Sequence, residues 1–164
     1  MSGNWVRFTP DELSRAVENL DEAYDRAKEL EAANDGRWAS TDKNWAAFDW
    51  LLRRRGVEVN VVLGEETFPG TEPGNEFSEG SWGYGPPEYL TPTRVATAAA
   101  ALASLSEADL IRDLTPAEAL AADVYSFYPE TETDFAEYTA ELPAAQHFFE
   151  AAAASGDAVL CWLN

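Results

Sequence analysis

From Ser40 to Gly56 the chain reads STDKNWAAFDWLLRRRG, and few folds accommodate so much aromatic bulk in so short a span. Trp45, Phe48 and Leu52 recur at spacings of three and four, so a helix places them on one face. The pattern predicts a central buried helix that starts at Ser40 or Thr41 and is stopped by Gly56. Asp42 is expected in its first turn and Arg53, Arg54 and Arg55 in its last, each well placed against the helix dipole. Asp49 and Arg53 stand four apart and form an expected pair. Trp50 falls on the other side of this helix, as an exposed aromatic.

The two ends of the chain have strand character. Asn4 to Phe8 is rich in aromatic and β-branched residues. Ala158 to Leu163 is apolar on both alternating faces, which suits a central strand covered on two sides. Pairing the two puts both termini into one sheet. Val57 to Leu63 alternates and predicts a half-exposed strand.

Helix starts are marked by capping chemistry. Thr9, Pro10, Asp11 and Glu12 form a capping box with proline at the first helical position. The helix behind it carries Leu13, Ala16, Leu20, Ala27 and Leu30 and is expected to reach Ala33, with Glu22 and Arg26 paired on its outer face. Thr91, Ser106 and Thr115 begin further helices, the last with Glu118 as a second capping box. A last helix is expected from Thr133, striped by Phe135, Tyr138, Leu142, Ala145, Phe149 and Ala152 and kinked or divided at Pro143. The acidic run Glu130 to Glu141 reads as its solvated start. Between them, residues 64–87 turn to glycine, proline and serine with Phe68, Phe77, Trp82 and Tyr84 interspersed, an ordered loop by its aromatic content. The expected fold class is therefore α+β: one compact domain over residues 1–164, with a small mixed or antiparallel sheet that includes both terminal strands and packs against several helices.

Thirty acidic against eleven basic side chains give a net charge of −19. Such a surface repels nucleic-acid phosphates and anionic membranes and favours a basic protein partner. A single cysteine, Cys161, leaves no disulfide framework and no cysteine-based zinc site. The N-terminus has no apolar leader segment, and no apolar run matches a membrane span, so the expected location is cytoplasmic.

Most catalytic chemistry is excluded by its missing parts. His147 is the only histidine and lies off the apolar stripe of the last helix, so it is expected to be exposed. Cys161 in an apolar strand reads as a buried, inert thiol. No calcium loop, phosphate-binding loop or dinucleotide fingerprint is present, and no cofactor is expected. Arg53 to Arg55 is too small a patch for a nucleic-acid footprint. The remaining candidates are carboxylates with aromatics: Asp42, Trp45, Asp49, Trp82, Tyr84, Tyr125 and Tyr128. Together they would form a cleft able to bind a small ligand or, through paired acids, to hydrolyse a sugar.

The order DKNWAAFDWLL, VVLG, WGYGPPEYLTPTRV, DVYSFYP and FFEAAAASGDAVLCWLN, spanning about residue 5 to 164, resembles the YfbM-like family of small bacterial proteins of unknown function. The resemblance implies a compact α+β fold and a bacterial cytoplasmic protein, and brings no catalytic residues. Family members often carry histidine where this chain has Asp49, so an activity resting on that histidine is not expected here. Asp42, Lys43, Trp45, Tyr84, Gly85, Pro86, Leu90, Thr91 and Pro92 match the family's motifs, and the loop around Tyr84 is expected to pack over the central helix near Asp42 and Trp45. Two functions follow as expectations: a non-enzymatic module, immunity-type or regulatory, for a basic protein, or a ligand binder or carboxylate-based hydrolase with a cleft near Tyr84.

Overall fold

Both chain ends enter one sheet. The structure is a computed structural model and describes residues 1–164. Strand β1 (Gly3–Phe8) runs antiparallel to β5 (Ala158–Leu163), pairing Trp5 with Cys161 and Phe8 with Ala158. With β2 (Trp38–Asp42), β3 (Glu66–Thr67) and β4 (Glu88–Leu90) the order is β2-β1-β5-β4-β3, all neighbours antiparallel. The terminal strands are thus the interior of the sheet, which is why β5 can be apolar on both sides.

Alternation divides the sheet's side chains between two cores. Trp5, Val159, Cys161 and Leu90 belong to the larger, with α3 (Trp45–Arg54), α4 (Pro92–Ala103), α5 (Glu107–Ile111), α6 (Pro116–Ala121), α7 (Phe135–Thr139) and α8 (Glu141–Ser155). Val6, Phe8, Leu160 and Trp162 face the smaller, covered by α1 (Pro10–Glu18), α2 (Leu20–Ala33) and the loop residues Phe68 and Trp82. Trp5 anchors the larger core between Phe148 and Phe149, at ring distances of 5.8 and 5.4 Å. Its indole N–H is satisfied by the Val61 carbonyl at 2.9 Å, so the ring is buried without a polar penalty.

Several expected elements differ. Ser40 and Thr41 do not begin the central helix; they lie in β2, and the helix starts after Asn44. Ser40 and Thr41 hydroxyls both donate to the Gly3 carbonyl, so sheet pairing takes the groups that a cap would use. The expected Val57–Leu63 strand is irregular backbone, yet Val57, Val59, Val61 and Val62 are buried. Its polar groups turn inward on themselves: Asn60 N–H donates to Glu65, and the Asn60 side chain accepts from Leu63 N–H. The first helix breaks at Asn19, whose side-chain oxygen caps α2 through Asp21 and Glu22 N–H. Arg26 pairs with Glu12 and Glu29 in place of Glu22. Thr115 caps α6 one way only, without the reciprocal bond of a box. The last helix is divided at Ala140, and Pro143 then sits in the first turn of α8, where its missing N–H costs little. No helix is long and apolar enough to cross a membrane.

Candidate functional site

The N-terminal end of α3 is set by two local devices. Asp42 takes a left-handed backbone conformation (φ 47°), which aspartate tolerates better than most residues and which turns the chain out of β2. Gly3 on β1 then lets α3 approach, because a Cβ there would stand 2.8 Å from the Trp45 Cβ and against the Thr41 hydroxyl. Trp45 is thereby pressed against the sheet, and its indole stacks on Tyr125 at 6.0 Å and 28°. Tyr125 keeps 46% of its surface exposed, so the open side of the stack is an aromatic platform.

Asn44, the residue that precedes α3, places no side-chain cap on the helix. Its amide donates to the Glu137 carbonyl at 3.4 Å and lies close enough to the Glu141 carboxyl to influence it, bringing α7 and α8 up to the patch. Burial pushes the Glu141 pKa up, the nearby Asn44 amide works the other way, and the charge of Asp42 pushes it up further. The positive end of the α3 dipole also favours a charged carboxyl nearby. Burial and a like charge still prevail, so this end of α3 holds two acids with too little positive charge between them. Neither Asp42 nor Glu141 takes part in an ion pair; nor does Lys43.

The residues singled out from the sequence fall into separate groups. Trp45 and Tyr125 meet, while Asp42 ends β2 three residues before α3 and lies near Glu141. Asp49 lies one turn further along α3 and is bonded by Arg53 at 2.8 Å. Tyr128 is exposed, and its backbone N–H donates to the Tyr138 hydroxyl at 3.4 Å. Trp82 belongs to the opposite core, edge-on to Tyr24 at 5.4 Å and Trp162 at 5.2 Å. Tyr84 donates its backbone N–H to the Leu163 carbonyl, so the loop around it packs on the end of β5 and on α2, and not over α3. Trp50 is not free either, since Phe127 lies against it at 5.6 Å. His147 is exposed, and burial with Glu88 and Glu65 nearby pushes the Cys161 thiol well up, leaving it inert.

The family described as Domain of unknown function (DUF1877) matches residues 1–162. The chain belongs to this family. The crystal structure of YfbM from Escherichia coli, a protein of unknown function, is similar over 100% of both chains with a TM-score of 0.67 at 14% identity. At that identity the likeness is one of fold. No curated protein matches the chain.

Within this DUF1877 domain, sequence reasoning missed Glu141, which stood in an acidic run read as solvated. Its defining neighbours, Asn44 and Asp42, lie almost a hundred residues away, so no local signal marks it. A cleft of about 320 Å³ between α1 and α2 contains Glu12, but that carboxyl is already saturated. Burial raises its pKa, yet bonds from Arg37, the Thr9 N–H and Arg26 hold it down to about 2. It is a clamp between elements rather than a free acid.

Proposed function

We propose that this chain is a bacterial cytoplasmic interaction module for a basic protein, in an immunity-type or regulatory role. The patch at the start of α3 receives one lysine or arginine side chain of that partner. The observation that carries the reading is Glu141: a half-buried carboxyl, raised by burial and by Asp42, that takes part in no ion pair. An incoming cation would relieve the like-charge repulsion and stack on Tyr125, a contact worth about 0.5–2 kcal/mol by itself. The rest of the surface supports the approach. Ion pairs engage eight of the 30 carboxylates, leaving 22 to steer a basic partner at low salt.

The test is capture of a basic protein by the immobilised chain at low and high salt. The wild type and a charge-matched control, E76Q with E150Q, should retain the same partner at low salt. D42N with E141Q should lose it. Equal retention by both double variants would refute the assignment of the patch.

The neighbouring acids also favour a second reading, a small-ligand binder or carboxylate-based hydrolase, because a carboxyl raised by burial, as Glu141 is, suits the acid role beside a second carboxyl. A thermal-shift screen with sugars and nucleotides would support it through a ligand whose shift disappears in D42N; shifts unchanged in that variant would exclude this patch as the site.

A further inference from the structure

At the other end of α3 the charge logic reverses. Eight of the eleven basic side chains are ion-paired; Arg15, Lys43 and Arg55 are not. Arg15 and Lys43 are exposed, whereas Arg55 is partly buried. One amino group of Arg55 donates to the Arg112 carbonyl, which Arg54 also uses, and its buried Nε–H has no protein acceptor. A buried guanidinium donor aimed at no acceptor is destabilising, and a ligand that accepts from it removes that cost. Burial, and then Arg54 and Arg112 beside it, push the Arg55 pKa down further than Asp113 and Glu118 push it up, so a negative group in direct contact here would be stabilising.

Arg55 lines a cleft of about 250 Å³ between the end of α3 and α4. Val57, Val59, Ala101 and Leu105 supply apolar wall, and Arg94 stands at its side. Two of the cleft's polar groups are already committed: Thr97 donates to the Thr93 carbonyl and Ser104 to that of Ala101. Arg94 is bonded at 2.6 and 2.7 Å by Glu65, and Glu58 also lines the cleft. The unspent positive charge is therefore that of Arg55 alone, which disfavours a dianion such as phosphate.

We infer that this cleft binds a small aliphatic carboxylate, its oxygens on the Arg55 guanidinium edge and its alkyl chain against Val57, Val59, Ala101 and Leu105. A carboxylate matches the planar fork and a single charge, and the apolar wall accepts a chain of a few carbons. This site is independent of the basic-partner reading, because it lies at the opposite end of the helix.

The experiment is an NMR titration of the full chain with sodium butyrate, with butyramide and inorganic phosphate as controls. Butyrate should move the Arg55 Nε–Hε signal and the amides of Val57, Val59 and Ala101 in a saturable way. Butyramide, which lacks the charge, and phosphate, which carries too much, should leave them in place. R55Q should weaken butyrate at least tenfold, and R15Q, which removes an exposed unpaired arginine, should not. If R55Q does not fold, the wild-type Arg55 Nε–Hε response decides. The inference is overturned by butyramide or phosphate moving the same signals equally, by R55Q binding as wild type does, or by an Arg55 side-chain signal that stays fixed at saturating butyrate.

Discussion

The two ends of α3 are separated by about 15 Å and are built on opposite terms. At the start, Glu141 feels the charge of Asp42, neither acid nor the adjacent Lys43 takes part in an ion pair, and Trp45 stacks on the half-exposed Tyr125. At the end, Arg54 is tied to Glu118 at 3.0 Å and to the Arg112 carbonyl, and Arg53 to Asp49. Only the late end follows the helix dipole within the helix itself, with Arg53 and Arg54 in its last turn; Asp42, expected in the first turn, instead ends β2, and that turn holds no acid. Only the late end is closed by the protein itself, apart from Arg55. The difference separates charges that fix the fold from charges left for something else to meet.

The strongest way to break the comparison is to remove what both ends share. Phe48 lies mid-helix with no exposed surface, so F48A should cost about 3–5 kcal/mol and perturb both ends together, read from urea denaturation with an unchanged slope. A smaller change should disturb the early end alone. G3A forces a Cβ onto Trp45 and Thr41, for about 1–3 kcal/mol, and should shift Trp45 and Tyr125 resonances while leaving those of Arg54 in place. At the late end, R54A should cost about 1 kcal/mol, because its contacts with Glu118 and Arg112 are charge-assisted but near solvent.

The smallest effect has the opposite sign. A carboxyl whose folded-state pKa is raised contributes stability that is complete at low pH and lost as pH rises through the folded value. E141Q escapes that loss, so at pH 7 it should be more stable than wild type by a few tenths of a kcal/mol. The advantage should vanish as pH falls below the ordinary carboxylate range. Paired thermal melts across pH 3 to 7 measure it.

The fold was legible where residues carry their own instructions. The Thr9–Glu12 box, the Asp49–Arg53 pair, the stripe of the last helix and the two-sided apolar run at the C-terminus all follow from spacing within one element. Errors came where a distant partner outbids local preference. Ser40 and Thr41 read as caps, but β1 claims them; Val57 to Leu63 alternates like a strand, but the Trp5 indole and the Cys161 thiol bond the Val61 carbonyl and its valines are buried in the larger core. Asn19 is a different case, since Asn followed three residues later by Glu is a visible helix start inside an otherwise continuous apolar pattern. Of the candidate site, Trp45 and Tyr125 were legible as types and do stack on each other. The loop docked on the end of β5 carries Trp82 to the opposite core, against Tyr24 and Trp162, and Glu141 joins only through the close of the tertiary structure.

The unmet acidity at the start of α3 is tested most directly by titrating the chain with a tri-arginine amide while following the Trp45 indole and Tyr125 ring signals at low and high salt. Saturable shifts at both rings, weakened by salt and absent in D42N with E141Q, are the expected result. Shifts spread evenly over the acidic surface of α1 and α2, and unchanged in that double variant, would contradict it.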